Sequence, residues 1–99
     1  MTHAVFSELA EGDLADIWVT IALDSIEIAD RFIEELRDKA ALLAEQPLMG
    51  LARPDFGEDV RSFPHREYLV IYRPTEFGVG VARIVHGARD LRRLSVPRT

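Results

Sequence analysis

Cysteine, lysine and long apolar runs are absent or scarce in this 99-residue chain. The lack of cysteine excludes disulfide frameworks, thiol nucleophiles and cysteine-based zinc sites. The longest uninterrupted apolar runs, Ala40–Ala44 and Tyr68–Tyr72, have five residues, far short of the roughly 20 that a membrane helix needs. The N-terminus also lacks the basic start of a signal peptide. We therefore expect one small soluble domain over residues 1–99, located in the cytoplasm and without a membrane partner.

Charge is divided unevenly between the two halves of the chain. Residues 1–50 carry a net charge of −8, whereas residues 51–99 carry +3 from nine arginines against six acids. Lys39 is the single lysine. Because a guanidinium pairs with phosphate or carboxylate in a planar, bidentate way, the arginine-rich half suits an anionic surface as partner. A pI near 5.1 argues against broad DNA binding, and we expect no sequence-specific DNA binding by this chain alone.

The N-terminal half has the pattern of one strand followed by two helices. His3–Phe6 is short and apolar, and the serine after it is a good helix N-cap residue. Across Glu8–Ala22 the large apolar residues recur with the period of one helical face. Asp24 with Glu27 has the form of a capping box for a second helix, which should end at Gln46 because proline follows. The short break between the helices predicts an antiparallel hairpin.

The C-terminal half has the pattern of a hairpin-connected sheet. The stretch 47–57 contains two prolines and two glycines and reads as an irregular loop, and residues 88–99 read as a short helix or a frayed tail. The predicted fold is α+β, in the order β-α-α-β-β-β, with the helical hairpin on one face of a small antiparallel sheet. The three strands predicted after the loop are Val60–Phe63, Tyr68–Tyr72 and Val79–Val85.

Both faces of the predicted sheet are apolar. A sheet covered on one side should alternate apolar and polar residues, and a helical hairpin can cover only one side. We therefore expect the C-terminal tail or a partner molecule to cover the second face. Alternation divides the last two strands into opposing apolar sets: Tyr68, Val70 and Tyr72 against Leu69 and Ile71, and Val79, Val81 and Val85 against Ala82 and Ile84.

No complete catalytic motif is present in the sequence. The three histidines are far apart and show no metal-ligand spacing, so we expect neither a metal nor a cofactor. The best remaining set for a nuclease is His86 with Arg61 and Arg83, since arginine can hold a phosphate while histidine moves a proton. Strand parity argues against it, because Arg83 and His86 should point to opposite faces. We predict no catalytic site, with this set as the nuclease alternative.

An ordered series of segments from Ala10 to Leu94 resembles the RelE/ParE toxin superfamily, and more specifically its ParE-type toxins of type II toxin–antitoxin systems. The resemblance implies the fold already predicted. The segments that carry it are Leu14–Trp18 with Ile21–Ala22, Ala29–Phe32, Leu42–Ala44 before Pro47–Gly50, Val60–Pro64, Tyr68–Arg73 and Arg83–Asp90.

The resemblance implies two kinds of activity. ParE-like members inhibit DNA gyrase without a known catalytic centre, whereas RelE-like members cut messenger RNA in the ribosome. The chain has no tyrosine after Tyr72 and its one lysine lies on a helix, so the residues of the RNA-cutting type are incomplete. Gyrase inhibition is the favoured interpretation, with ribosome-dependent messenger RNA cleavage and a diverged, non-toxic binding module as alternatives.

The resemblance also implies a ParD-like antitoxin whose disordered C-terminal segment folds on the toxin. We expect this segment to cover the second sheet face and to pair with its arginines. Arg89, Arg92 and Arg93 are the predicted contacts to the target. The predicted antitoxin-binding residues are Arg61, Tyr68, Val70, Arg73, Ala82, Arg83 and Ile84.

Overall fold

Two helices pack on one face of a five-stranded sheet in the computed structural model, which describes residues 1–87. The strand order across the sheet is β1-β5-β4-β3-β2. The predicted tail over 88–99 lies outside the described residues. In chain order the elements are β1 (His3–Phe6), α1 (Glu8–Ala22), α2 (Ile26–Glu45), β2 (Leu51–Ala52), β3 (Arg61–His65), β4 (Tyr68–Thr75) and β5 (Gly78–His86).

Each helix begins at a serine cap. The Ser7 side chain accepts a hydrogen bond from the backbone N–H of Ala10 at 3.0 Å, as the sequence predicts for α1. The second cap is Ser25, whose side chain accepts from the N–H of Ile28, so the predicted capping role of Asp24 is wrong. Asp24 instead lies in the turn between the helices. The end of α2 before the proline is confirmed.

The sequence did not predict the short strand β2. It lies at one edge of the sheet and runs antiparallel to β3. Strands β3, β4 and β5 pair antiparallel in turn, and β5 pairs parallel with β1 at the other edge. The α+β fold is confirmed, but the sheet is mixed and not wholly antiparallel. Two residues inside a segment rich in proline and glycine are too short for a periodic signal.

A β-bulge breaks the predicted alternation of β5. The pairing register between β4 and β5 shifts between Ile71 and Tyr72, which leaves Ala82 without a partner opposite it. The extra residue reverses the side-chain parity beyond it. Ile84 therefore lies on the helix-covered face and Val85 lies with Ala82 on the opposite face. The prediction that Ile84 lies on the uncovered face with Ala82 is wrong.

Val70 and Tyr68 also lie on the helix-covered face, contrary to their predicted place in the antitoxin contact. Val70 is fully buried in the main core, and the Tyr68 ring packs edge-on against Phe32 of α2 at 5.7 Å. Alternation separates two apolar sets but does not determine which set the helices cover. The core that they cover is made of Ala10, Leu14, Ile17, Phe32, Leu36, Ala40, Leu43, Ala44, Val70, Tyr72, Val79, Val81 and Ile84.

Candidate protein-binding site

The sheet face opposite the helices, called the second face below, carries a smaller apolar cluster. Val60, Ile71 and Val85 are buried there, and the ring of Phe56 packs against them. Phe56 comes from the loop between β2 and β3, and the Arg53 guanidinium lies over its ring at 4.1 Å. Part of the second face is thus covered by a loop, although the sequence pointed only to the tail or a partner.

The part of the second face next to β1 forms a groove of about 520 Å³. Val5 of β1 and Leu9 at the start of α1 stand on one side of it, each more than half exposed. Pro74 of β4 lines the opposite side, and Ala82 of the bulge contributes to the wall. Gly80 lies between them. Because its lining is mostly apolar, this groove can hold the apolar side chains of a protein segment.

Gly80 makes the floor of the groove low. It pairs with Val5 on one side and with Arg73 on the other, so these three residues form one row across the sheet. A Cβ atom added at Gly80 would contact only the Thr75 side chain, at 3.6 Å, an ordinary van der Waals distance. A glycine inside a strand often marks a close approach by another molecule. This strand glycine is a local signal of the groove that the sequence itself contains.

The three strand arginines predicted to meet an antitoxin all contact this chain. Arg61 donates to the carbonyl oxygen of Gly50 at 2.7 Å, and Arg73 donates to that of Glu58 at 3.1 Å. Arg83 makes a two-point contact with the Asp13 carboxylate of α1 at 2.8 and 2.9 Å. These arginines position loops and a helix of this chain itself.

The nuclease set is not brought together. Arg61 pairs with Tyr72, whereas His86 pairs with Tyr68, four residues away along β4, a distance of about 13 Å in a strand. Arg83 pairs with a residue of the second face while His86 lies on the helix-covered face, as parity predicts. His86 Nε2 lies 3.5 Å from the Glu67 carboxylate and its ring meets the edge of Tyr68.

His65, which no sequence pattern indicated, holds the β3–β4 hairpin to α2. Its Nε2 lies 2.9 Å from the Glu35 carboxylate of α2, and Arg66 donates to the same oxygen at 3.3 Å. The hydrogen bond with His65, followed by that with Arg66, lowers the pKa of Glu35. Both His65 and His86 have mostly buried rings with a carboxylate partner. The contact between His65 and Glu35 ties the β3–β4 hairpin to α2. Glu35 and Glu67, the carboxylate partners of the two histidines, would repel a phosphate.

Among residues 1–87, no group of three or more histidine or acidic side chains has a geometry that could hold a metal ion. No helix within that range is both long and apolar enough to cross a bilayer. The predicted target contacts Arg89, Arg92 and Arg93 lie outside the described residues.

Comparisons with known proteins agree with this architecture. A solved chain of the "Chromosomal ParDE TA system from P. aeruginosa" superimposes with a TM-score of 0.72 and 19% sequence identity, covering 87% of this chain and 96% of that one. At that identity the likeness establishes the fold alone. No curated protein matches the sequence. The model of the family described as "ParE toxin of type II toxin-antitoxin system, parDE" matches residues 4–91, and the chain therefore belongs to the ParE toxin family.

Proposed function

We propose that this chain is the toxic component of a type II toxin–antitoxin system, that it inhibits DNA gyrase, and that a small ParD-like antitoxin neutralises it. The observation that carries the neutralisation is the groove on the second face, whose apolar walls Val5 and Leu9 are more than half exposed. An apolar segment that folds on the groove would bury these side chains, and their burial would drive binding.

The antitoxin contact differs in detail from the set that alternation predicts. Ala82 remains in it, because it lines the groove, and Arg73 remains as the neighbour of Gly80 across the sheet. Val5 and Leu9 join the contact. Arg61 and Arg83 are bound within the fold, to Gly50 and Asp13 respectively, and neither lines the groove.

Gyrase is the favoured target because no nuclease centre is assembled within residues 1–87. An RNA-cutting toxin needs a proton-transfer group next to a phosphate-holding cation, and His86 is paired with Glu67 on the opposite sheet face from Arg83. A gyrase inhibitor of this kind needs surface contacts and no proton transfer. Arg89, Arg92 and Arg93 are proposed to contribute such contacts.

The direct test is a supercoiling assay with purified DNA gyrase. We expect the chain to inhibit supercoiling and an equimolar amount of the product of the neighbouring reading frame to restore it. In cells, expression without that product should give filamentation and an induced DNA-damage response. Rapid loss of protein synthesis, with messenger RNA cut inside ribosomes, would contradict the proposal in favour of the nuclease. A chain that arrests nothing would indicate a diverged binding module.

Replacing His86 separates the two mechanisms further. We expect His86→Gln to keep growth arrest within a few-fold of the wild type, whereas loss of a general acid or base costs about 10²–10⁴ in rate. The combined change of Arg89, Arg92 and Arg93 to alanine should weaken arrest in a graded way, as surface charges usually do. Circular dichroism checks that each variant is folded. A folded, non-toxic His86→Gln beside a fully toxic triple variant would overturn the gyrase assignment.

A further inference from the structure

The outward face of α1 is apolar although it faces solvent. Gly12, Ala15, Val19 and Leu23 follow one another at spacings of three or four residues, which places them on one stripe of the helix. The stripe lies opposite the residues that α1 buries in the core. All four are exposed, Val19 by 55% and Leu23 by 83% of the residue's full area. Ile26, just beyond the turn, is 59% exposed.

A helix with apolar residues on both sides is normally covered on both sides. Exposed apolar patches on small proteins commonly mark interaction surfaces. Gly12 also supports an interaction surface on this stripe, because a Cβ atom placed there would meet nothing within 4 Å. The packing of this chain therefore gives no reason for a residue that destabilises a helix relative to alanine. A partner backbone that approaches α1 closely would supply one.

The charges beside the stripe define the kind of partner. Helix α1 contains four acids and no basic residue. Glu8 lines the groove, and Glu11 and Asp13 are held by arginines of this chain. Asp16 has no ion pair within residues 1–87. A second copy docked on the same stripe would place these acids against one another. Charge complementarity instead favours a partner surface that is apolar at its centre and carries lysine or arginine at its margin.

We propose that this stripe, from Gly12 to Leu23 with Ile26 at its end, is the surface through which the toxin contacts its target protein. The inference rests on the proposed function, in which that target is gyrase. The stripe is distinct from the antitoxin groove, whose walls are formed by the second sheet face and the first turn of α1. The target should present an apolar patch flanked by basic side chains.

The test uses the full chain with Val19→Ser and Leu23→Ser combined, in the supercoiling assay and in growth arrest on titrated expression. The matched control combines Leu48→Ser and Leu51→Ser, since both leucines are 70% exposed but lie near the β2 edge of the sheet. We expect the α1 variant to need at least about tenfold more protein for half-maximal inhibition. The control should stay within about twofold. Both proteins should keep wild-type affinity for the antitoxin.

A second variant tests the charge argument independently of apolar area. Asp16→Lys should weaken inhibition more at low salt than at high salt, because the lost attraction is screened by ions. An α1 double variant that inhibits as well as the wild type would overturn the inference. So would one that loses antitoxin binding while it keeps inhibition, because the stripe would then belong to the antitoxin.

The two assays separate this inference from the gyrase assignment. A wild-type chain that arrests growth but leaves supercoiling intact would contradict gyrase as the target. In that case growth arrest tests the stripe. Weaker arrest by the α1 variant than by its control would support contact with another target, and equal arrest would overturn the inference. A wild-type chain that affects neither gyrase nor growth would overturn both proposals.

Discussion

The two faces of the sheet differ in how their apolar residues are used. The helix-covered face belongs to one continuous core, in which Leu36, Val70 and Tyr72 have no exposed area. The second face is covered in one part by the loop that carries Phe56, and in another part it is open as the groove above Gly80. The same apolar residue types therefore do two different things. Residues on the first face form the core, and those around the groove are the ones that we propose to bind the antitoxin.

The largest expected loss of stability is at Ile84, which the bulge in β5 places in the core. Ile84→Ala should destabilise the fold by about 2–5 kcal/mol, because Ile84 is 2% exposed and packs beneath the helices. Ala82→Ser, two residues away on the second face, should cost less than about 1 kcal/mol. Urea unfolding of both variants measures the difference. Equal losses in the free energy of unfolding would contradict the placement of Ile84 in the core and of Ala82 on the second face.

Asp13 holds α1 to the part of β5 beyond the bulge. Its carboxylate accepts from Arg83 and from the backbone N–H of Ile84 at 2.9 Å. We expect Asp13→Ala to cost about 1.5–3 kcal/mol, since the change removes the two-point contact with Arg83 and the hydrogen bond from the Ile84 backbone N–H. Glu8→Ala, on the same helix and without an ion pair in residues 1–87, is the control for loss of an acid. Similar melting temperatures for the two variants would contradict the role of Asp13.

Much of the fold followed from the sequence, because helix period, serine caps and strand runs are local signals. The bounds of α1 and the end of α2 at Gln46 needed nothing beyond neighbouring residues. The strand β2 and the bulge at Ala82 were missed, since both depend on which strands pair. The parallel pairing of β1 with β5, which makes the sheet mixed, was missed for the same reason.

The site was harder to predict than the fold. Alternation identified a second apolar face but assigned Val70 to it, because nothing local records which set the helices cover. It assigned Ile84 there as well, because the bulge at Ala82 reverses the side-chain parity beyond it. The strand arginines looked available for a partner, yet Arg83 is bound to Asp13, 70 residues away in the chain. Such long-range pairs cannot be read from spacing. Gly80, inside a strand, was the one usable local signal of the groove.

A pH-dependent prediction concerns the tie between α2 and the β3–β4 hairpin. Because His65 and Arg66 lower the pKa of Glu35 in the folded chain, ionised Glu35 stabilises the fold above its ordinary pKa. This contribution is lost as the pH falls through the lowered value. Glu35→Gln should therefore melt below the wild type at pH 7, and the gap should close in strongly acidic buffer. A gap that is independent of pH would contradict the ionic role of Glu35.

The smallest expected effect is a gain of stability. Gly12→Ala should stabilise the chain by about 0.5–1 kcal/mol, because the new methyl group meets no atom within 4 Å and alanine is the better helix former. Thermal melting should show a rise of a few degrees. Gly50→Ala gives the opposite control, since its Cβ would lie 2.5 Å from the Tyr72 hydroxyl, and it should melt lower.

The most direct test of the separation between the two faces is a calorimetric titration of the antitoxin into Gly80→Val. The added side chain would occupy the groove. A Cβ atom at this position would contact only Thr75, at 3.6 Å, so the fold should survive. Gly12→Ala, a glycine change outside the groove, is the control. We predict that Gly80→Val binds the antitoxin at least about tenfold more weakly while it still arrests growth. Unchanged antitoxin affinity in a folded Gly80→Val protein would contradict the account.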